Sequence, residues 1–452
     1  MSEIKPKKYQ QQIIDELSGH SARALFMGTG SGKTYTSLFI DKTLTSNHLL
    51  VICPATITEQ WKDSIKEVLP DYNIMEIKKS WTGKRINEEL LSFNKMVGNK
   101  AIVVSMYIIH SLTNLEEILH PRWHIIFDES HRMKSHTTRV TKTALRLSRY
   151  TRHKTILTAT PTEADYGGFI DLYTQLSFLG QLTMTRKEFL DRYTYQKPMY
   201  LPHLRFPLME ITGYRPEIID IENLLKAISR SYTPTFTDEP AQSFKVKIPR
   251  APKYPNMKYQ RFYKEMDFSN PSRMRVAERT LTTGRLTGRD MYGERLIYDD
   301  NTLKIDWLTD FVQDQPQPIL VYYQYNVELD QLEEMAKKLK KKYIVINGAN
   351  NNKLDDIKNK EYDLIFGQMD ACSESIDGLQ HKTHIAVYFA LPESSIVARQ
   401  STGRLDRMGQ KYSPRFYYLI MEKTVDEHIW KMVESKKDYS QATLDKLVLE
   451  DY

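Results

Sequence analysis

The sequence predicts an α/β fold with two parallel-sheet lobes and a helical insertion between them. Three observations carry this. Short runs rich in Ile, Val and Leu alternate with amphipathic stretches of helix length; the alternation lapses near residue 180 and resumes near residue 301; and the stretch between differs, being rich in Arg, Tyr, Met and Pro. Strand–helix alternation is the signature of a parallel sheet covered on both faces.

The first block reads as strands at "ARALFM" (22–27), "LLVICP" (49–54), "AIVVSM" (101–106), "WHIIFD" (123–128) and "KTILTAT" (154–160), with helical segments such as "TEQWKDSIKEVL" (58–69) between them. The second block repeats the pattern at "PILVYYQ" (318–324), "KYIVING" (342–348), "YDLIFGQ" (362–368), "HIAVYFA" (384–390) and "PRFYYLI" (414–420). Prolines 198, 202, 207, 234 and 240 punctuate the intervening region. The expected division is a first lobe over 1–180, an insertion and linker over 181–300, and a second lobe over 301–452.

Bulk properties narrow the class. A chain of 452 residues exceeds one ordinary domain, and its 40% hydrophobic and 27% charged residues are those of a globular protein in water. The polar start "MSEIKPKKYQ" is no signal peptide, and no apolar run spans a bilayer, so no membrane partner is expected. Two cysteines, Cys53 and Cys372, make no disulfide framework and suit a reducing cytoplasm. A net charge of +7 permits nucleic-acid binding without demanding it. Basic residues cluster at 5–8, 273–289 and 337–343, the last having the lysine density of an ordinary solvated helix face.

The chemistry concentrates in a few motifs. In "LFMGTGSGKT" a strand runs into a helix through Gly28, Thr29, Gly30, Ser31 and Gly32. Such a turn brings backbone N–H groups to phosphate oxygens at a helix N-terminus. Lys33 would reach the β- and γ-phosphates and Thr34 would hold Mg²⁺. Met27 stands where the strict pattern has glycine, so the match is to the looser form xxxGxGKT.

In "WHIIFDESH", Asp128 and Glu129 close a buried strand, one carboxylate for Mg²⁺ and one to orient or deprotonate water. An acidic pair after a strand commonly just caps a helix; about a hundred residues beyond a phosphate loop it signals a catalytic site. His131 either packs or links the metal site to the other lobe. Thr158 and Thr160 of "TILTATP" either bridge toward the second lobe or cap the next helix. Gln10 has an amide able to bond an adenine edge, or is surface filler. Near the end, "RQSTGRLDRMGQ" (399–410) spaces Arg404 and Arg407 three apart behind Gln400, which on a helix sets both guanidinium groups on one face.

In this order the motifs resemble a superfamily-two helicase, and most closely its Swi/Snf-type branch of double-stranded-DNA translocases. Gln10 matches the adenine-reading Q motif, Lys33 and Thr34 motif I, "LLVICPATITEQW" (49–61) motif Ia and "VVSMYII" (103–109) motif Ib. Asp128, Glu129 and His131 match motif II, as DESH rather than DEAH, and "LTATP" motif III, where the branch has LTGTP. "ILVYYQYN" (319–326) resembles motif IV and "QMDACSESIDGLQ" (368–380) motif V without the branch's double glycine. Gln400, Gly403, Arg404 and Arg407 match motif VI, with "RLDRMGQ" close to RxHRIGQ. "SRSYTPTF" (229–236) stands where the branch has an arginine-rich turn.

The resemblance implies two RecA-like lobes, with ATP and Mg²⁺ bound between them. Lys33, Thr34, Asp128 and Glu129 come from the first lobe, and Arg404 and Arg407 come from the second as fingers on the γ-phosphate. It implies duplex DNA held through phosphates, with Ser105, Asp377 and Gly378 as contacts, and a monomeric bare motor of bacterial, archaeal or phage size. That motor would work in the cytoplasm, or in the host cytoplasm if viral. A strand-separating helicase on DNA or RNA shares every catalytic residue, and a nucleotide-gated scaffold is the alternative from another class.

Overall fold

The structure, a computed structural model, describes all residues except 1–3, 45, 79, 113–114, 134, 163–167, 200–207, 234–235, 251–270, 349–358, 376–377, 394, 432 and 435–452. It divides into two compact units near residue 234.

The first unit is built on seven parallel strands in the order β3-β4-β2-β5-β6-β1-β9. These are β1 (Ala22–Met27), β2 (His48–Cys53), β3 (Tyr72–Ile77), β4 (Asn99–Ser105), β5 (Trp123–Asp128), β6 (His153–Leu157) and β9 (Ser229–Tyr232). Alternate residues of one strand feed different cores. Ala24, Phe26, Leu50, Ile52, Ile125 and Phe127 pack on one face, and Leu25, Met27, Leu49, Val51 and Ile126 on the other. A strand buried on both faces reads as an unbroken apolar run, which is why these segments stand out in the sequence. The helices that matter below are α1 (Lys8–Leu17), α2 (Lys33–Thr43), α3 (Thr58–Val68) and α7 (Gly168–Phe178).

One strand residue breaks the apolar rule. Arg23 is wholly buried, and its Nε and Nη2 donate to the carbonyls of Leu17 and Ser18 at 2.9 and 3.2 Å. Nearby, Asp41 accepts from Tyr72 Oη at 2.9 Å and meets His124 Nδ1 at 2.8 Å, and His124 Nε2 lies 2.7 Å from Thr155 Oγ1. Burying these groups is tolerable because Arg23 is bonded to main-chain carbonyls, and Tyr72, Asp41, His124 and Thr155 to one another.

The second unit carries six parallel strands in the order β10-β17-β16-β13-β15-β14. They are β10 (Gln242–Ile248), β13 (Ile319–Tyr323), β14 (Tyr343–Ile346), β15 (Leu364–Gln368), β16 (Ile385–Tyr388) and β17 (Arg415–Met421). Leu320 and Tyr322 face one core, Val321 and Tyr323 the other. Lys304 and Asp426, both buried, pair at 2.7 Å, and Asp426 also accepts from Thr282 Oγ1 and the Met421 amide, each at 3.0 Å. That network ties the helix Pro271–Thr282 to the sheet.

The α/β class and the two parallel sheets are as expected. The stretch 181–300 is divided rather than independent. It gives the first unit the hairpin β7 (Thr194–Met199) and β8 (Leu208–Tyr214) and the strand β9, which pairs in parallel with β1. It gives the second unit β10, the helix Pro271–Thr282 and the hairpin β11 (Arg285–Arg289) and β12 (Arg295–Asp299). The boundary therefore falls inside the expected insertion.

Candidate active site

The glycine loop leaves β1 at Met27 and enters α2 at Lys33. Gly30 and Gly32 sit at φ +71 and +76, the left-handed region that glycine adopts without penalty. The Gly28 amide donates to the Tyr232 carbonyl at 2.8 Å, so β9 fixes the start of the loop. Ser31 Oγ donates to Gly28 O at 2.6 Å, and Tyr9 Oη, from α1, donates to Ser31 O at 2.7 Å. Lys33 Nζ turns back to the carbonyls of Met27 and Gly28 at 2.9 and 3.2 Å. Its ammonium thus lies at the loop that would receive phosphate. Thr34 follows on the first turn of α2.

Gln10 is not surface filler. It is 5% exposed, its Oε1 accepts from the Lys7 amide at 2.9 Å, and its Nε2 donates to Gly32 O at 3.2 Å and Thr36 Oγ1 at 3.1 Å. A Cβ on Gly32 would come within 2.8 Å of that Nε2. Here the amide steadies the phosphate loop and both its ends are engaged.

Asp128 ends β5, and Glu129 follows at φ +51, a left-handed conformation that a non-glycine residue holds at about 1–3 kcal/mol. Asp128 Oδ1 accepts from the Glu129 amide at 2.8 Å and Oδ2 from Trp61 Nε1 at 2.9 Å. Burial, then the neighbouring Glu129 charge, pushes the Asp128 carboxyl up to about 6. Burial pushes Glu129 upward too, but His131, with Lys33 and Arg132 beyond it, outweighs burial and holds that carboxyl down at about 2. Glu129 is therefore the first of the pair to ionise.

His131 Nδ1 stands 3.2 Å from Glu129 Oε2 and 3.1 Å from Thr158 Oγ1, and Thr158 Oγ1 also accepts from the Thr160 amide at 3.0 Å. The three expected coupling residues thus form one chain from β5 to the end of β6. Thr160 Oγ1 is buried without a partner among the described residues.

A second tie between the same loops has no counterpart in the sequence reading. Gln175, wholly buried on α7, accepts from Ser130 Oγ at 2.7 Å and donates through Nε2 to Pro161 O at 2.8 Å. Trp61 is also new: it is 1% exposed, and α3 aims its indole N–H at Asp128. The serine of DESH and the tryptophan of "TEQW" were the available signals.

In the second unit the helix Ser395–Thr402 ends before either arginine. Arg404 and Arg407 lie on successive turns, with the Arg404 amide on Ser401 O at 3.2 Å and the Arg407 amide on Leu405 O at 3.1 Å. The expected shared helix face is therefore replaced by a turn. Gln400 is on the helix and 8% exposed.

The turn is mounted firmly. Tyr322 Oη donates to Ser401 O at 2.8 Å, and Tyr388 Oη lies 2.7 Å from Ser401 Oγ. Tyr388 stacks on Tyr322 and on Tyr418, with centroids 4.8 and 4.4 Å apart. Gln410 Nε2 donates to the carbonyls of Thr383 and Leu405 at 3.0 and 3.2 Å. Gly409 sits at φ +94, and a Cβ there would lie 2.5 Å from His381 Cε1. Burial pushes the Cys372 thiol up to about 12, with the Arg404 charge partly opposing it.

The expected nucleic-acid contacts fare unevenly. Ser105 is 5% exposed and its hydroxyl accepts the Tyr107 amide at 3.4 Å, at the turn after β4. Asp377 lies outside the described residues. Gly378 sits at φ +102 and donates to Gln380 Oε1 at 3.1 Å, while Gln380 Nε2 reaches Met408 O at 3.4 Å, joining the segments that resemble motifs V and VI.

Residues 3–163 match the family described as type III restriction enzyme, res subunit. The chain is 22% identical over 421 residues to the SWI/SNF-related matrix-associated actin-dependent regulator of chromatin subfamily A-like protein 1 of Drosophila melanogaster, covering 90% of this chain and 52% of that one. It is 22% identical over 470 residues to an uncharacterised ATP-dependent helicase of Mycoplasma pneumoniae, covering 97% and 42%. It is 23% identical over 485 residues to protein p41 of Acyrthosiphon pisum secondary endosymbiont phage 1, covering 99% of each. Among solved structures, the Sulfolobus solfataricus SWI2/SNF2 ATPase core in complex with dsDNA covers 98% of this chain and 94% of its own at 15% identity and a TM-score of 0.43.

These relatives bear out the resemblance: the chain is similar to superfamily-two helicases of Swi/Snf type, with phage and bacterial proteins among its relatives. It spans about half the length, or less, of the first two curated Swi/Snf-related proteins it matches.

Proposed function

We propose that the chain is an ATP-hydrolysing motor that translocates on double-stranded DNA. The observation that carries this is the first unit's constellation, in which the glycine loop and Lys33 stand with an ionised Glu129 wired through His131 to Thr158. The duplex preference rests on the "RLDRMGQ" stretch and its likeness to Swi/Snf motif VI.

In this reading the loop amides and Lys33 hold the ATP phosphates. Glu129, which a value of about 2 keeps ionised though weakly basic, orients the attacking water and takes its proton as the bond to phosphorus forms. Arg404 and Arg407, supplied by the second unit, stabilise charge on the γ-phosphate; such a finger is worth about 10³–10⁵ in turnover. A hard-oxygen donor set of Thr34 and Asp128 fits Mg²⁺, which takes one or two protein oxygens and completes its shell with phosphate and water. No cluster of three or more His, Cys, Asp or Glu offers an all-protein cage among the described residues. When bound, the ion would neutralise phosphate charge. The His131–Thr158 and Gln175 ties would carry the state of the β5 loop to the β6 loop and so couple hydrolysis to movement.

ATP hydrolysis measured alone, then with duplex DNA, single strands and RNA, tests this. Stimulation by duplex, with displacement of a triplex third strand and no release of duplex strands, is expected. Release of duplex strands would select the strand-separating helicase, and no stimulation by any nucleic acid would remove both motor readings.

A further inference from the structure

The β11–β12 hairpin of the second unit holds none of the residues assigned above to ATP chemistry, yet it carries part of the basic cluster 273–289. Its root is fixed. Leu286 is wholly buried, and Arg285 bonds Asp299 at 2.6 Å and the carboxylate of Glu334 at 3.1 and 3.2 Å. The adjoining Thr283 Oγ1 reaches Glu328 Oε1 at 3.5 Å, and Glu328 in turn accepts from the amides of Gln324 and Tyr325 at 2.7 and 3.0 Å. The hairpin root and the segment resembling motif IV therefore share one framework.

The tip is held in shape but left bare. Asp290 Oδ1 accepts from the amides of Tyr292 and Glu294 at 2.9 and 2.8 Å, and Gly293 takes φ +85. This fixed turn projects Met291 and Tyr292, which are 77% and 85% exposed. Just behind it, Arg289 and Arg295 are directly opposite in the antiparallel register, and both are exposed. Arg289 donates to Gly293 O at 2.7 Å, and neither guanidinium meets a carboxylate among the described residues. Like charges facing each other across a ladder are destabilising. A polyanion would relieve that repulsion, and an exposed aromatic between two arginines is the composition of a nucleic-acid contact.

We propose that this hairpin is a DNA-binding element of the motor, in which Arg289 and Arg295 straddle phosphates of the duplex and the Met291–Tyr292 tip enters a groove. The proposal rests on the DNA-motor reading above. Glutamine at both arginine positions (Arg289→Gln with Arg295→Gln) tests it by anisotropy of a fluorescein-labelled duplex, titrated between about 50 and 200 mM KCl. Each lost phosphate contact lowers the log–log salt slope by about 0.9, so the double variant should flatten it by about 1.8 and weaken binding by about tenfold or more.

ATPase without DNA should stay unchanged, which shows that the unit is folded. Lysine at both positions should keep the slope, and Tyr292→Ala should weaken affinity with the slope intact. Wild-type binding with an unaltered slope and affinity in the double glutamine variant would overturn the hairpin assignment alone. Failure of the wild-type protein to bind duplex would overturn the motor reading beneath it.

Discussion

Replacing Gln175 by leucine should loosen the loops after β5 and β6 while keeping the volume of the side chain. The change strips Ser130 Oγ of its acceptor at 2.7 Å and Pro161 O of its donor at 2.8 Å, both in the buried interior. A buried neutral group left unpaired costs about 1–3 kcal/mol. Two such groups, partly offset by the added apolar surface, give an expected loss of about 3 kcal/mol for the first unit. At about 2–4 °C per kcal/mol for a unit of this size, Tm should fall by about 6–12 °C.

Urea denaturation followed through the buried Trp61 and Trp123 reads this loss directly. Ser130→Ala alone should lose less, because Gln175 keeps its bond to Pro161. Combining it with Gln175→Leu should recover about 1 kcal/mol relative to the sum of the singles, since the shared bond is removed only once. Nucleotide affinity should hold while kcat drops, because Ser130 adjoins Glu129. A Gln175→Leu protein within about 0.5 kcal/mol of wild type, the range of an ordinary surface substitution, would refute the reasoning.

Glu129→Gln should retain nucleotide binding in a fluorescent-nucleotide assay and lose turnover; hydrolysis near the wild-type rate would remove Glu129 as the base. Arg407→Ala should lower kcat by about 10³ or more with nucleotide affinity little changed, and an unaffected kcat would end its assignment as a finger. Gly409→Ala sets a Cβ against His381 at a position with φ +94, so thermal melting of the second unit should shift down and ATPase should fall with it. His153 is pressed down to about 4, by burial first and then by Arg23 and His124, and burial lowers buried His124 as well. Between about pH 6.5 and about pH 4 the unfolded chain binds these protons more readily, so the first unit should lose stability on acidification through that window and none on moving from 6.5 to 8. Asp128, raised to about 6, opposes this by gaining its proton in the folded state first, so melting curves of Asp128→Asn should show the histidine loss more steeply.

Much of the fold is legible because buried parallel strands are locally distinctive. β1, β2, β4, β5, β6 and all the second-lobe strands from β13 to β17 coincide with apolar runs. β9 and β10 escape notice because "SRSY" is short and polar and β10 is an edge strand with most of its residues exposed. The phosphate loop and the Asp128–Glu129 pair are legible for the same reason as the strands: their chemistry is contiguous.

What holds them is not contiguous. Trp61 reaches Asp128 across 67 residues, Ser130 reaches Gln175 across 45, and Gln380 reaches Met408 across 28. No local pattern announces such partners. Ser105 is ambiguous in sequence because a serine at a strand end is equally a ligand contact or a turn cap; the Tyr107 amide supplies the second without using the hydroxyl proton. The spacing of Arg404 and Arg407 implies a shared helix face only if the helix continues, and it ends at Thr402, where the chain turns.

The parallel pairing of β9 with β1 bears on how the protein is made. Without residues 229–232, β1 would be an edge strand and the Gly28 amide would lack its acceptor on Tyr232. On the ribosome, all the motif residues of the first unit emerge some seventy residues before the strand that closes its sheet. A nascent or proteolysed piece ending near residue 180 would hold every nucleotide-site side chain yet present an open apolar edge, inviting pairing with another copy. On the proposed reading, nucleotide binding should therefore require synthesis past Tyr232 and not only the appearance of the last recognisable motif.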